Sequence, residues 1–224
     1  MDETLLTLIA ANAAFVGTHF AMSHPLRNPM VSALGELGFT LVYSLVSLAT
    51  FAWVYAAFTA ASPADLVGSG QVGWIIATVL MLPAMVLFAG SVIGNPALPT
   101  PMAEAQARAE PGGVFRVTRH PMMWGFALWA LAHIVLFWSM RTLITAVAMG
   151  LLALLGAHFQ DRKKQRLMGD AWEHWESRTS YWPRWSALPR AGLVPWALGL
   201  ALFVGLSWAH IPLGGIAAGV WRWL

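Results

Sequence analysis

Apolar runs of about 20 residues, separated by short polar stretches, restrict this chain to a helical membrane fold. Hydrophobic residues make up 58% of the 224 residues and charged residues only 10%, whereas soluble domains average about 25% charged residues. An α-helix needs ~20 apolar residues to cross about 30 Å of hydrocarbon. We therefore predict an all-α, polytopic membrane bundle with about six transmembrane helices. The predicted spans are 4–22, 38–58, 72–93, 121–139, 142–158 and 193–213.

The remaining segments suggest one domain with a single amphipathic element outside the spans. No linker or internal repeat divides the chain, so one transmembrane domain is expected over 1–224. The segment 95–119 is rich in Pro and Gly and is expected to cover a cavity. The segment 160–190 places Trp172 and Trp175 among basic residues, three apart on one helical face. This composition predicts an interfacial amphipathic segment that anchors in the headgroup layer, and one or two further helical turns are expected near the C-terminus.

The distribution of basic residues predicts the orientation of the bundle. All the Lys and Arg residues except Arg141 and Arg222 lie in the loops after the first, third and fifth spans. By the positive-inside rule these loops are cytoplasmic and both termini lie outside. The N-terminus lacks the basic region of a signal peptide, so the first span is expected to be retained. The lipid bilayer is the expected partner, and nucleic acid is not expected because the positive charge is concentrated in one interhelical loop.

Histidines are the candidate ligands of a cofactor, because the chain contains no cysteine. That absence excludes disulfides, thiolate metal sites and a cysteine nucleophile. His133 lies thirteen residues beyond His120, roughly 20 Å into the fourth span. A histidine at such depth is costly unless a partner, a cavity or a metal compensates for it. Neutral imidazole binds iron, zinc or copper, and two histidines on facing helices can clamp a heme.

The predicted depths divide the intramembrane histidines into two layers. His19, His120 and His158 fall near cytoplasmic ends of spans, and His133 and His210 fall nearer the outer leaflet. These depths allow His19 to pair with His120 or His158, and His133 to pair with His210. For each histidine near a membrane surface, a hydrogen bond at a helix end is the alternative to a ligand role.

The residues beside His120 suggest binding of an anion. Arg119 next to His120 could bind an anionic headgroup, a heme propionate or a phosphate, and we expect a headgroup. The small residues Gly17, Gly125 and Gly150 are expected to allow close approach of neighbouring helices. No Gly-rich phosphate loop, Ser-His-Asp arrangement or HExxH motif is present.

Several motifs in order resemble the NnrU-domain family of bacterial membrane proteins. The stretch RHPMMWGFALWALAHIV at 119–135 is similar to the family's histidine-containing helix. Three further stretches match in order, namely FVGTHFAMSHPLR at 15–27, LGELGFTLVYSLVSL at 34–48 and QDRKKQRLMGDAWEHWESRTSYWP at 160–183. The family also looks related to the plant and cyanobacterial cis-ζ-carotene isomerases. The resemblance covers most of the chain.

The resemblance implies a cofactor and a setting. NnrU proteins are associated with denitrification genes, in particular those of nitrite and nitric oxide reductase, which implies a bacterial inner membrane. The distribution of basic residues then predicts that both termini are periplasmic. The related isomerases bind heme b through histidines and isomerise a cis double bond without net redox change. Carried onto this chain, their axial ligands fall on His19 and His133, and the histidine of the RHP motif, beside Arg119, falls on His120. The isomerases' exchangeable cysteine has no counterpart here.

Three functional hypotheses follow. The first is a heme b protein acting as an isomerase or redox enzyme on an apolar substrate such as a polyene, and this one is preferred together with membership of the NnrU family. The second is a non-enzymatic accessory protein for heme or nitric oxide reductase. The third is a relative of S-adenosylmethionine-dependent lipid methyltransferases, because an RHPxxxG motif near a helix start is similar to theirs. The sequence gives neither the substrate nor the oligomeric state.

Overall fold

A computed structural model describes residues 2–224 and is helical throughout, with no β-strand in that part of the chain. The eight α-helices are α1 (Glu3–Ser23), α2 (Arg27–Ala60), α3 (Gly70–Gly90), α4 (Ala103–Arg108), α5 (Pro121–Leu136), α6 (Met140–Met168), α7 (Asp170–Arg178) and α8 (Leu193–Gly214). Short 3₁₀ turns occupy Gly113–Arg116, Trp185–Ala191 and Gly219–Arg222. The predicted all-α membrane bundle is confirmed, and the turn expected near the C-terminus is the last of the 3₁₀ turns.

Five helices are long and apolar enough to cross a membrane, and α5 is a shorter apolar helix. α5 has 16 residues, or about 24 Å at 1.5 Å per residue. Pro121 occupies its first turn, where a missing N–H costs nothing. Phe137 adopts a left-handed conformation with φ 47°, which ends the helix before the predicted boundary at residue 139.

Two helices extend well beyond their predicted spans. α2 begins at Arg27 rather than residue 38 and bends at Gly35, where φ is 70°. The Arg27 guanidinium pairs with the Glu36 carboxylate at 3.0 Å across this bend. α6 continues to Met168, ten residues past the predicted end. The apolar part of α6 ends near His158, and the charged turns 159–168 lie beyond the predicted membrane-spanning part.

Three connections meet at one end of the bundle, here called the basic end. The ring of His24, just after α1, lies 5.1 Å from that of Phe159 in α6. The Lys164 ammonium donates to the Pro96 carbonyl at 3.3 Å. Contacts also tie α7 to the segment that contains α4. The loops predicted to share one side of the membrane therefore do lie together.

The remaining connections meet at the opposite end. The Met140 N–H donates to the Asp65 carboxylate at 2.8 Å, and the Ser69 N–H donates to the Leu136 carbonyl at 3.0 Å. α1 begins and α8 ends at this end, so both helices that carry the termini point the same way. Which end faces the cytoplasm stays a prediction.

α3 packs between α5 and α8, and glycines let neighbouring helices approach closely. A Cβ atom at Gly199 of α8 would lie 2.6 Å from the Val86 Cα atom, and one at Gly125 of α5 would lie 2.9 Å from the Ala84 carbonyl oxygen. A Cβ at Gly150 would lie 3.3 Å from the Ala130 Cβ. The expectation of close packing is wrong for Gly17, which has nothing within 4 Å of such a position.

The predicted amphipathic segment is present as α7, but its tryptophans pack on the protein. Trp172 is 0% exposed and Trp175 is 2% exposed. The Trp175 ring lies 5.4 Å from Phe115, because the segment 95–119 folds over α7. Anchoring of these two side chains in the headgroup layer is therefore wrong. The same segment borders a cavity of about 440 Å³, as expected from its composition.

Candidate functional site

Three of the seven histidines share one hydrogen-bonding pattern that leaves a nitrogen available to a ligand. In each, Nδ1 lies within hydrogen-bond distance of the backbone carbonyl four residues earlier. A carbonyl oxygen only accepts, so Nδ1 carries the proton and Nε2 of the neutral ring keeps its lone pair. Metal-binding histidines are commonly oriented in this way. The contacts are His19 to Phe15 at 2.7 Å, His133 to Trp129 at 2.8 Å and His210 to Leu206 at 2.8 Å.

Two of these histidines face each other from different helices. The ring centroids of His133 in α5 and His210 in α8 are 6.4 Å apart, with an angle of 28° between the ring planes. α5 and α8 each pack on α3, which brings the two histidines side by side, with His133 half-buried and His210 exposed. The Trp129 ring lies 4.3 Å from that of His133 and further fixes its orientation. The structure thus brings together His133 and His210, one of the pairings that the predicted depths allow.

His19 lies in a different part of the bundle. Its ring is 4.3 Å from Phe15 on α1 and 5.5 Å from Tyr43 on α2. Within residues 2–224, no contact joins His19 to His133. The role of His19 and His133 as a ligand pair stays a prediction. In the structure, His19 lies on α1 beside α2, whereas His133 lies on α5 beside α8.

Arg119 and His120 take part in a buried ionic cluster with protein partners. The Arg119 guanidinium donates to the Asp161 carboxylate through Nε at 3.0 Å and Nη2 at 2.7 Å, and it lies 3.3 Å from Glu176. The His120 side chain is 0% exposed, and its Nε2 lies 2.9 Å from the Asp161 oxygen. That contact does not have hydrogen-bond angles. Its Nδ1 lies 3.1 Å from the Gln160 amide oxygen.

Local backbone pairing explains why this cluster forms. The Arg119 N–H donates to the Ser180 carbonyl at 2.8 Å, and the Arg184 N–H donates to the Val117 carbonyl at 2.8 Å. The Trp124 indole N–H donates to the Tyr181 carbonyl at 2.9 Å. These bonds fasten the start of α5 to the chain after α7, next to the last turns of α6. Asp161 and Glu176 then supply the negative charge.

Asp161 is the residue of this cluster that sequence reasoning missed. It lies just past the end of a predicted span, where a carboxylate can reach water at little cost, yet it is 7% exposed. Burial raises the pKa of Asp161, but the close contact with His120 and the hydrogen bonds and charge of Arg119 outweigh burial and lower it overall. The available signal was the pair Arg119 and His120 at the start of a helix, because two such side chains are stabilised by a carboxylate when they are buried. The part of Arg119 and His120 in cofactor binding stays a prediction.

The other three histidines form no comparable site. His158 and His174 are exposed, and His24 packs beside Phe159. Among residues 2–224, no group of three or more His, Cys, Asp or Glu side chains could hold a metal ion. A metal bound by this part of the chain therefore needs most of its ligands from elsewhere. A porphyrin supplies four ligands, and two histidines can then occupy the remaining coordination positions of its iron.

Comparison with known proteins identifies the family. The sequence profile described as NnrU protein matches residues 7–218. The chain belongs to the NnrU family. It is also similar to the chloroplastic 15-cis-zeta-carotene isomerases of Zea mays and Arabidopsis thaliana, each 38% identical over 73 residues. That match covers 32% of this NnrU chain and 19% of each isomerase, so it spans about a fifth of their length. No solved structure matches.

Proposed function

We propose that this NnrU protein binds heme b through His133 and isomerises a cis double bond of an apolar polyene. The orientation of His133 carries the proposal. Its Nδ1 is fixed by the Trp129 carbonyl at 2.8 Å, its Nε2 makes no hydrogen bond within residues 2–224, and its ring lies 6.4 Å from that of His210 on a neighbouring helix. The partial similarity to carotene isomerases supports the reaction.

The donor set of this chain fits heme better than a bare metal ion. Two histidines face each other at 6.4 Å between ring centroids, and each can form a bond of about 2 Å to a metal through Nε2. His133 is the ligand that both the structure and the family resemblance favour. His210 is its neighbour in the structure, whereas His19 is the second ligand that the resemblance implies.

The protein would orient the substrate, and the cofactor would supply the electronic step. When bound, heme iron would draw electron density from a conjugated polyene and lower the order of the double bond, so that rotation becomes easier. Apolar side chains of α5 and α8 beside the two histidines would contact such a substrate. Trp129 and the backbone carbonyls would keep the histidine rings in a fixed orientation.

Absorption spectroscopy of the detergent-purified protein tests heme binding. We expect a Soret band, sharp visible bands after dithionite reduction and a positive pyridine hemochrome assay. His133→Ala should abolish heme retention while membrane insertion is kept, because removal of a polar side chain does not hinder insertion. His174→Ala is the matched control and should retain heme. Normal heme content in the His133 variant would remove His133 as a ligand.

Two further variants identify the second ligand. If His210 is the second histidine ligand of the iron, then His210→Ala should change the spectrum from that of six-coordinate iron to that of five-coordinate iron, and His19→Ala should not. The opposite result would support the pair implied by the family resemblance. A protein that stays free of heme after expression with added precursor would exclude the proposal and favour the S-adenosylmethionine-dependent alternative.

Incubation of the heme-loaded protein with 15-cis-zeta-carotene distinguishes an enzyme from an accessory protein. We expect the 15-trans product by chromatography, with no net consumption of reductant. Heme binding without conversion of this or other cis-polyenes would instead favour the accessory role beside nitric oxide reductase. The bacterial inner membrane is the proposed location.

A further inference from the structure

A groove between α1 and α6 at the basic end combines positive charge with an aromatic floor. This open groove has a volume of about 630 Å³, and small-molecule sites typically measure about 300–1,000 Å³. His24, Arg162 and Arg166 supply polar walls, and Phe20 and Phe159 supply the floor. We call these five residues the basic groove.

The positive charges of the basic groove have little compensation from the protein. Within residues 2–224, no carboxylate lies within salt-bridge distance of Arg162 or Arg166 of the groove, or of Lys163, which lies outside it in the same helix. Two acids at the same end of the bundle are engaged elsewhere. Glu36 pairs with Arg27, and Glu176 accepts from Gln165 at 2.6 Å and also pairs with Arg119.

Burial and neighbouring positive charges both disfavour the charged forms of His24 and Lys163. Burial lowers the pKa of His24, and the charges of Lys163 and Arg166 lower it further. Burial together with the charge of Arg27 lowers the pKa of Lys163. An anion in the groove would oppose both effects, since it stabilises the charged form of each group.

The aromatic floor joins this charge to the apolar part of the bundle. The Phe20 and Phe159 rings are 5.7 Å apart, and His24 stacks on Phe20 at 6.3 Å. Phe159 directly follows the last apolar residues of α6 and Phe20 lies in the last turn of α1. A molecule in the groove would therefore contact both the basic side chains and the aromatic rings.

We infer that the basic groove binds the phosphate of an anionic phospholipid, with the adjoining acyl chain against Phe20 and Phe159. Basic pockets between transmembrane helices are suited to anionic headgroups on the positively charged side of a membrane protein. Arg119, which the sequence suggested for this role, is already paired with Asp161 and Glu176. The inference is independent of heme and of the proposed reaction.

Native mass spectrometry of the detergent-solubilised full chain tests this site. The probes are dioleoylphosphatidylglycerol and, for comparison, dioleoylphosphatidylcholine. We expect preferential retention of the anionic lipid. The double variant Arg162→Gln/Arg166→Gln should weaken that binding by roughly 30-fold, because each basic group near an anionic surface contributes a factor of about five.

A charge-matched variant provides the control. Arg184→Gln/Arg190→Gln removes the same charge from exposed positions outside the groove and should leave lipid binding unchanged. Equal loss in both double variants would overturn the site in favour of a diffuse surface charge, and so would equal binding of the two lipids. Displacement of the lipid by millimolar inorganic phosphate would overturn the lipid assignment in favour of a soluble anion.

Discussion

At the scale of single residues, burial of charged side chains carries a large cost in free energy. Arg119, His120 and Asp161 lie together with side chains that are at most 13% exposed. Their arrangement links α5 to α6 more specifically than apolar contact does, since each partner fixes the position of the other. Removal of one member leaves the others buried without a partner. The free-energy cost of such an unpaired buried group exceeds the net stabilisation that the intact pair contributes.

Asp161→Asn should therefore lower the free energy of unfolding by about 3–5 kcal/mol. Glu110→Gln is the matched control, because Glu110 pairs with Arg178 while its side chain is 90% exposed, and its effect should stay within about 0.5 kcal/mol. Thermal unfolding in detergent at neutral pH, followed by circular dichroism, measures both. Equal stability of the two variants would contradict a stabilising role for the buried cluster.

The same carboxylate predicts a pH dependence with a definite sign. The folded-state pKa of Asp161 is lowered, so its contribution is present above the unfolded value of about 3.9 and is lost as the pH falls below it. The stability difference between the wild type and Asp161→Asn should shrink below about pH 4. Unfolding curves from pH 7 to pH 3 check this, and a constant difference would contradict it.

At the scale of helices, close approach to α3 determines where α5 and α8 lie. The backbone of Val86 occupies the space where a side chain at Gly199 would begin. Glycine is required there by packing rather than by backbone conformation, since Gly199 is within a regular helix. Separation of α8 from α3 would also move His210 relative to His133.

Gly199→Ala should destabilise the bundle by about 1–3 kcal/mol, because the added methyl group meets backbone atoms that cannot rotate away. Gly205→Ala in the same helix has nothing within 4 Å of the new Cβ and should be neutral or stabilise by up to about 1 kcal/mol through helix propensity. Thermal unfolding of the two variants gives the comparison. A neutral Gly199 variant would show that α8 is not held by this contact.

At the scale of the whole molecule, the helices alternate in direction and gather the basic residues at one end. Since the chain has no cysteine, single cysteines can report on each end without background. Ser62 and Ser186 are exposed at opposite ends of the bundle. Ser62→Cys should react with a membrane-impermeant maleimide in intact spheroplasts, and Ser186→Cys only after permeabilisation. The wild type is the unlabelled control, and the reverse pattern would contradict the predicted orientation.

The sequence by itself determined the number of apolar helices, the loops that share one end and the family. Each of these depends on local information, because a helix satisfies its own backbone hydrogen bonds and charge is counted loop by loop. It also pointed to His133, since a lone histidine in an apolar run is conspicuous.

Only the tertiary structure decided which side chains meet. His133 and His210 are separated by 77 positions, and Arg119 and Asp161 by 42. The helices are apolar on nearly all sides, so no polar face reveals how each one is rotated. Burial of Trp172 and Trp175 likewise depended on the segment 95–119 folding over α7, which no local pattern specifies. Contacts of this kind follow from packing between distant segments, and that packing is a property of the folded chain.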